Sequence, residues 1–217
     1  MILIPVKNLA TAKQRLASVL SQPVRTELAQ AMLLDVLEAV AEWANRPPVS
    51  LVTSDPFAVE TARQFDFEII ADDNNRSETD AIETATTFCE SRGVNHTLVI
   101  PADIPLIEAG ELETIAIDAP ERGSLLVPAG DGRGTNAAFR RPAGLFPLRF
   151  GNDSFKPHLA AAHATGLPCA VLSLPGIALD IDNPGDLRQL AEARGETRSQ
   201  CLARQWDLSG LSLAANQ

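Results

Sequence analysis

Leu98-Val99-Ile100-Pro101-Ala102-Asp103-Ile104-Pro105-Leu106-Ile107 is the stretch whose reading decides the fold. Its first three residues are apolar and run into prolines that cannot donate to a ladder. That pattern reads as a short strand buried on both faces that stops abruptly, with one carboxylate just past its end. Open α/β sheets bind ligands outside the carboxyl ends of their strands, so Asp103 is a candidate metal ligand. A second reading makes Asp103 a turn residue before Pro105 or a cap for a helix beginning near Glu108. The stretch by itself leaves both open.

Working outward, further apolar runs read as strands: Ile2-Leu3-Ile4-Pro5-Val6, residues 49–53, residues 67–71, Leu125-Leu126-Val127-Pro128 and Ala170-Val171-Leu172-Ser173-Leu174. Helical patterns separate them. Val24, Leu28, Met32, Val36, Val40 and Trp43 recur at helical spacing from 23 to about 44, with Pro23 suited to the first turn and Pro47-Pro48 as a stop. Shorter helices are expected near 57–64, from Ser77 through Arg92 with Ala81, Ile82, Ala85 and Phe88 on one face, near 109–118, up to Gly166, from 184 to 193, and around 198–206. Buried strands alternating with helices specify an α/β protein.

The 217 residues and 45% hydrophobic content suit one domain over 1–217, with a C-terminal helix and tail from about 196. Lys and Arg total 18 against 28 Asp and Glu, a net charge of -10, which argues against non-specific binding to nucleic acid or anionic membrane. A polyanionic ligand must then be held locally, by a few cations, backbone N–H groups or a metal. Cys89, Cys169 and Cys201 are far apart and lack metal-ligand spacing, as expected of a reduced, cytoplasmic chain. No secretory pattern or membrane-length apolar run is present.

Four segments hold the candidate chemistry. Lys7, Lys13 and Arg15 follow the first strand, where a helix N-terminus would add N–H donors for phosphate; a solvated basic face is the alternative. Ala129-Gly130-Asp131-Gly132-Arg133-Gly134-Thr135-Asn136 is glycine-rich, and Thr135 and Asn136 can donate to carboxylate or phosphate oxygens, a reading favoured over a plain β-turn. Phe150-Gly151-Asn152-Asp153-Ser154-Phe155-Lys156-Pro157-His158 offers Asp153 or Ser154 as an N-cap, with Lys156 and His158 as extra donors and His158 a hydrogen-bonding residue rather than a base. In Asp180-Ile181-Asp182-Asn183-Pro184 an extended backbone would put Asp180 and Asp182 on one face to share a cation, while Asp182 or Asn183 is also placed to cap the next helix. Thr53-Ser54-Asp55 reaches the same sheet edge, and the polar run 72–77 either lines a pocket or is an exposed loop. Neither GxGxxG nor GxxxxGK[ST] occurs.

With these pieces in order, the sequence resembles the 2-phospho-L-lactate guanylyltransferase family of coenzyme F-420 biosynthesis. The motifs are Pro5-Val6-Lys7 with Ala12-Lys13-Gln14-Arg15-Leu16, Pro101-Ala102-Asp103-Ile104-Pro105, Gly134-Thr135-Asn136-Ala137, Phe150-Gly151-Asn152-Asp153-Ser154-Phe155, and Asp180-Ile181-Asp182-Asn183-Pro184-Gly185-Asp186-Leu187. The resemblance implies a Rossmann-like, GT-A-type nucleotidyltransferase fold with a mostly parallel mixed central sheet flanked by helices. It implies attack by the phosphate of a three-carbon phosphoacid on the α-phosphorus of GTP. In that picture Asp103, Asp180 and Asp182 hold Mg²⁺, and Lys7, Lys13 and Arg15 contact the triphosphate. Thr135, Gly151 and Ser154, with Asn136 beside them, hold the phosphoacid; Lys7, Ser54 and Asp80 are the candidate nucleotide contacts. Glu78-Thr79-Asp80 stands where the family pattern has a Gly-Leu-Asn-like stretch.

The acceptor, among 2-phospholactate, phosphoenolpyruvate and 3-phosphoglycerate, is not legible, since each presents a carboxylate and a phosphate. Competing readings are a nucleotidyltransferase acting on a sugar phosphate or a molybdopterin-type acceptor, and a non-catalytic nucleotide-binding protein. Leu208, Leu211 and Leu213 either fray or pack on a second copy, which is the ground for a homodimer.

Overall fold

The computed structural model describes residues 1–72, 77–151 and 153–206. Seven strands form one sheet in the order β3-β2-β1-β4-β6-β5-β7. They are β1 (Ile2–Pro5), β2 (Val49–Val52), β3 (Glu68–Ile70), β4 (Thr97–Val99), β5 (Gly123–Pro128), β6 (Thr135–Arg141) and β7 (Cys169–Val171). Strand β1 lies parallel to both β2 and β4, β2 to β3, and β5 to β7, whereas β6 runs antiparallel between β4 and β5. The expected mostly parallel mixed sheet is therefore present.

The chain leaves β1 toward β2 and β3, then returns to place β4 on the other side of β1. That reversal makes a crevice outside the carboxyl ends of β1 and β4, where loops diverge instead of covering each other. The abrupt stop at Pro101 puts Asp103 at this crevice.

The helices are α1 (Gln22–Glu42), α2 (Pro56–Gln64), α3 (Glu78–Ser91), α4 (Ala109–Asp118), α5 (Phe155–Ala164), α6 (Pro175–Ala178), α7 (Pro184–Glu192) and α8 (Arg198–Ala203). Alternate strand residues feed two cores. Ile2, Ile4, Leu51, Leu98 and Ile100 pack with Leu28, Met32, Val36 and Val40 of α1, and Leu3, Val52, Ile70 and Val99 pack with Ala81, Ile82 and Ala85 of α3. On α3 the sequence placed Phe88 on the buried face. It is instead 39% exposed, beneath the Arg92 guanidinium, and Cys89 takes the inner position because it continues the Ala81, Ile82, Ala85 stripe.

Two further expectations change. No α-helix opens directly after β1: the chain makes two 3-10 turns, Leu9–Thr11 and Gln14–Leu16, and α1 begins only at Gln22. Before α7 a short helix, α6, occupies Pro175–Ala178, and residues 179–182 belong to no strand.

The C-terminal end is anchored through Asp35 of α1, which is buried. Its Oδ1 accepts from Arg198 N–H (2.9 Å), and its Oδ2 accepts from Ser199 N–H (3.0 Å) and Ser199 O–H (2.6 Å). Asp35→Ala strips the buried N-terminus of α8 of its acceptor, with an expected loss of about 3 kcal/mol. Thermal unfolding and limited proteolysis check it: a lower Tm with new cleavage after residue 194 is expected. Wild-type values for both would mean the anchor contributes nothing. Leu208, Leu211 and Leu213 lie outside the described residues, as do residues 73–76 and Asn152.

Candidate active site

A cleft of about 600 Å³ opens at the carboxyl ends of β1 and β4, lined by residues 5–9 and 11–15, by Ser77 and Glu78, and by Pro101, Ala102, Asp103 and Asp182, with Ala29 and Met32 at its base. Lys13 is its centre. This residue adopts a left-handed conformation (φ 55, ψ 44) between the two 3-10 turns, a backbone state that costs a residue with a Cβ roughly 1–2 kcal/mol. The turn sends the side chain inward, where Nζ lies 2.5 Å from Asp103 Oδ2 and 3.1 Å from Asp182 Oδ1. Burial opposes the charge on Lys13, but the two carboxylates outweigh it and hold the ammonium well above its usual range.

Of the remaining early cations, Arg15 joins the same network and Lys7 forms a separate pair. Arg15 reaches Asp182 Oδ2 at 3.1 Å, and Lys7 reaches Asp72 Oδ2 at 2.5 Å. Asp55 ties the first two loops together, accepting from Leu9 N–H at 2.9 Å and capping α2 through Ala58 N–H at 3.0 Å. These basic residues are therefore a paired cluster at the crevice, not a solvated face. The α-helix N-terminus expected at this point is replaced by the N-termini of two 3-10 turns.

Asp103 is no cap: α4 has Glu108 at its N-cap, with a reciprocal box to Glu111. Likewise Asn183 caps α7, accepting from Gly185 N–H and Asp186 N–H, so Asp182 stays available to the cleft. Asp180 and Asp182 do not project together. Asp180 Oδ1 accepts from Asn136 Nδ2 at 3.0 Å, whereas Asp182 turns to Lys13 and Arg15. Asn136 also donates to Ile177 O (2.9 Å), and Ile181 N–H donates to Asp103 O (3.1 Å), which stitches the acidic segment to β6 and to the loop after β4. Burial, followed by the charges of Asp103 and Asp182, raises the Asp180 carboxyl, while the Asn136 contact pulls the other way.

The glycine-rich loop closes a β5–β6 hairpin, and Arg133 forms a bidentate pair with Asp153 (2.7 and 3.2 Å) at the start of α5. Asp153 is thus engaged elsewhere. Ser154 occupies the N-cap position but makes no side-chain cap bond, contrary to the capping expectation; it donates to Thr135 Oγ1 at 3.3 Å. His158, expected as an extra donor, is buried, with Nε2 accepting from Arg149 N–H at 2.7 Å and Nδ1 2.9 Å from Thr135 Oγ1. Thr135, Asn136 and Ser154 are buried, and Asn136 joins them to Asp180 beside the carboxylate cluster, whereas Gly151 is exposed. Ser54 and Asp80 are exposed and lie outside the lining of the cleft.

The divergent stretch enters the cleft through Glu78. Desolvation first, then the charge of Asp103, pushes its carboxyl up to about 7, against the opposing charges of Lys13 and Lys7. A folded-state value above the ordinary one, 4.5, means the native protein binds this proton more tightly than the unfolded chain. The stabilising contribution is therefore full at acid pH and declines as pH rises through the window from about 4.5 to about 7. In EDTA without nucleotide, the Tm of wild type is expected to drop more between about pH 5 and about pH 8 than that of Glu78→Gln. Equal drops would make Glu78 an ordinary surface carboxylate.

Among the described residues no group of three or more His, Cys, Asp or Glu side chains stands close enough to cage a metal unaided. The donors present nevertheless fit Mg²⁺. Asp103 and Asp182 already converge on one positive charge, and Mg²⁺ is commonly held by one or two carboxylates together with water and substrate phosphates.

A sheet with its switch at β1 and β4, and a carboxylate–lysine–carboxylate bridge in the crevice, define a nucleotidyltransferase fold. The same fold is seen in a Desulfovibrio desulfuricans G20 crystal structure described as a nucleotide-diphospho-sugar transferase (TM-score 0.76, 19% identity, 94% of this chain and 93% of the other). The chain belongs to the guanylyl transferase CofC-like family, whose model matches residues 1–208. It is 36% identical over 189 residues to the phosphoenolpyruvate guanylyltransferase of Sphaerobacter thermophilus (87% of this chain, 90% of the relative). It is 31% identical over 188 residues to the 2-phospho-L-lactate guanylyltransferase of Methanothermobacter thermautotrophicus (87% and 82%). Among the described residues no helix is long and apolar enough to cross a membrane.

Proposed function

We propose that this protein transfers GMP from GTP to the phosphate of a three-carbon phosphorylated acid, with phosphoenolpyruvate the first candidate, in the assembly of coenzyme F-420. The observation that carries the reading is the Asp103–Lys13–Asp182 bridge at the carboxyl end of β4, in a chain whose relatives are named as guanylyltransferases. A phosphate oxygen of the acid bonds to the α-phosphorus, the bond from that phosphorus to the bridging oxygen breaks, and pyrophosphate leaves with the electron pair. No protein nucleophile is needed, because the acceptor is already an anion.

Asp103 and Asp182, with Asp180 beside them, would hold Mg²⁺. When bound, the ion supplies charge neutralisation for the triphosphate. Lys13 and Arg15 lie where they can shift from their carboxylates to the leaving pyrophosphate, and Lys7 flanks the same cleft. Thr135, Gly151 and Ser154, with Asn136, take the phosphoacid at the neighbouring site.

Pyrophosphate release from GTP or ATP with Mg²⁺ tests this, in separate reactions with phosphoenolpyruvate, 2-phospholactate and 3-phosphoglycerate. Release requiring GTP and one acid is expected. Magnesium-dependent GTP binding with no release under any combination would replace the reading with a non-catalytic nucleotide-binding protein.

A further inference from the structure

His158 sits in the first turn of α5, 1% exposed, with both ring nitrogens engaged. Nε2 accepts from the backbone N–H of Arg149 at 2.7 Å, so that nitrogen bears a lone pair. A neutral imidazole has one N–H, which must then be on Nδ1, 2.9 Å from Thr135 Oγ1. Thr135 is thereby forced to accept. Ser154 O–H donates to the same oxygen at 3.3 Å, so both acceptor positions of the Thr135 hydroxyl are taken. What remains is the O–H of Thr135 itself, and among the described residues no group accepts it. Thr135 is 5% exposed, and a buried donor without an acceptor is costly enough to require an explanation.

We infer that His158 is a positioning residue: together with the Arg149 amide it fixes the Thr135 hydroxyl as an obligatory donor, directed at an anionic oxygen of the phosphoacid. This rests on the reading of Thr135 and Ser154 as phosphoacid contacts. A hydroxyl free to rotate would present a lone pair to the anion part of the time; a locked one always presents its proton. Burial, reinforced by the Arg140 charge, lowers the imidazole to about 4, so the ring stays neutral at physiological pH and serves as neither a base nor a cationic anchor. The ring is seated edge-on to Phe150 at 5.4 Å between centroids, and Phe150 N–H donates to Thr79 Oγ1 at 3.0 Å. The divergent Glu78-Thr79-Asp80 stretch thus braces the group that orients the acceptor site.

Asparagine and glutamine at position 158 separate the two halves of this relay. The Asn amide nitrogen stands in for Nδ1 and can still donate to Thr135, whereas the Gln amide reaches the Nε2 position and the Arg149 N–H but not Thr135. His158→Gln is expected to raise KM for the phosphoacid about tenfold while His158→Asn stays within about threefold of wild type, with KM for GTP unchanged in both. A buried histidine that merely packs would give the two variants equal effects, and that result overturns the proposal. Thr135→Val separates it from the reading beneath it. An unchanged phosphoacid KM in Thr135→Val removes Thr135 from the acceptor site and the inference with it; a raised KM leaves the His158 comparison to decide. In wild-type protein, long-range ¹H–¹⁵N spectra at neutral pH are expected to show His158 as the Nδ1–H tautomer, and the Nε2–H form would overturn the proposal even if a variant fails to fold.

Discussion

Asp103→Asn is expected to fold with a near-normal Tm and to lose magnesium-dependent pyrophosphate release by about 10³-fold or more. The substitution keeps shape and hydrogen-bonding capacity and removes only the charge. Asp103 is partly exposed at the end of β4, and its backbone carbonyl, which accepts from Ile181 N–H, is untouched, so the loop after β4 keeps its anchor to the acidic segment. The ion pair with Lys13 is lost, but its Nζ retains Asp182 at 3.1 Å, so the ammonium is not left unpaired. Stability is thus largely spared, whereas under the proposed function the carboxylate that would hold Mg²⁺ against the triphosphate is lost. Steady-state rates over a range of Mg²⁺ concentrations check the prediction, and turnover within about tenfold of wild type would take Asp103 out of the mechanism.

Lys13→Met should act in two opposite directions. Methionine matches much of the aliphatic stem of lysine but has no cation, so under the proposed function turnover is expected to fall by about 10²- to 10³-fold, the leaving pyrophosphate having lost the cation proposed to meet it. With the ammonium gone, Asp103 loses its partner and Asp182 keeps only Arg15, and a divalent ion meets no ammonium between the two carboxylates. Without nucleotide, Mn²⁺ used as a probe should therefore bind the variant about tenfold more tightly than wild type. Electron paramagnetic resonance titration of free Mn²⁺ measures this directly. An unchanged or weakened affinity would mean that the carboxylates around Lys13 are not where the metal sits.

Much of the fold was legible because burial on both faces leaves a plain trace. Leu98-Val99-Ile100 and Ile2-Leu3-Ile4-Pro5-Val6 read as continuous apolar runs, overlapping β4 and β1, and α1 shows its inner stripe from Leu28 to Val40 at helical spacing. The cap of α7 was legible in Asn183, whose short side chain accepts from N–H groups two and three residues on. Phe88 was not, because which of two adjacent stripe residues turns inward depends on where the sheet lies.

The candidate site was legible as residue types and hardly at all as contacts. Asp103, Lys13 and Asp182 were each singled out, yet nothing in their spacing says that one ammonium bridges two carboxylates 90 and 169 residues away. Extended backbone would let Asp180 and Asp182 share one cation, yet Asp180 accepts from the Asn136 amide while Asp182 meets Lys13 and Arg15. His158 was identified as a hydrogen-bonding residue, but its direction of donation is set by Arg149 and Thr135, which only the packing of α5 against β6 brings to it.

Apart from β6, α6 and the two 3-10 turns, the sequence by itself determined the strands, the helices, the anionic character of the whole and the set of charged residues at the carboxyl edge, since periodicity and proline placement are local properties of the chain. Only the tertiary structure decided which charge meets which, that Glu78 enters the cleft, and which atom of His158 holds the proton. Pairings of that kind depend on distances between segments far apart in sequence, and those distances exist only once the sheet has assembled.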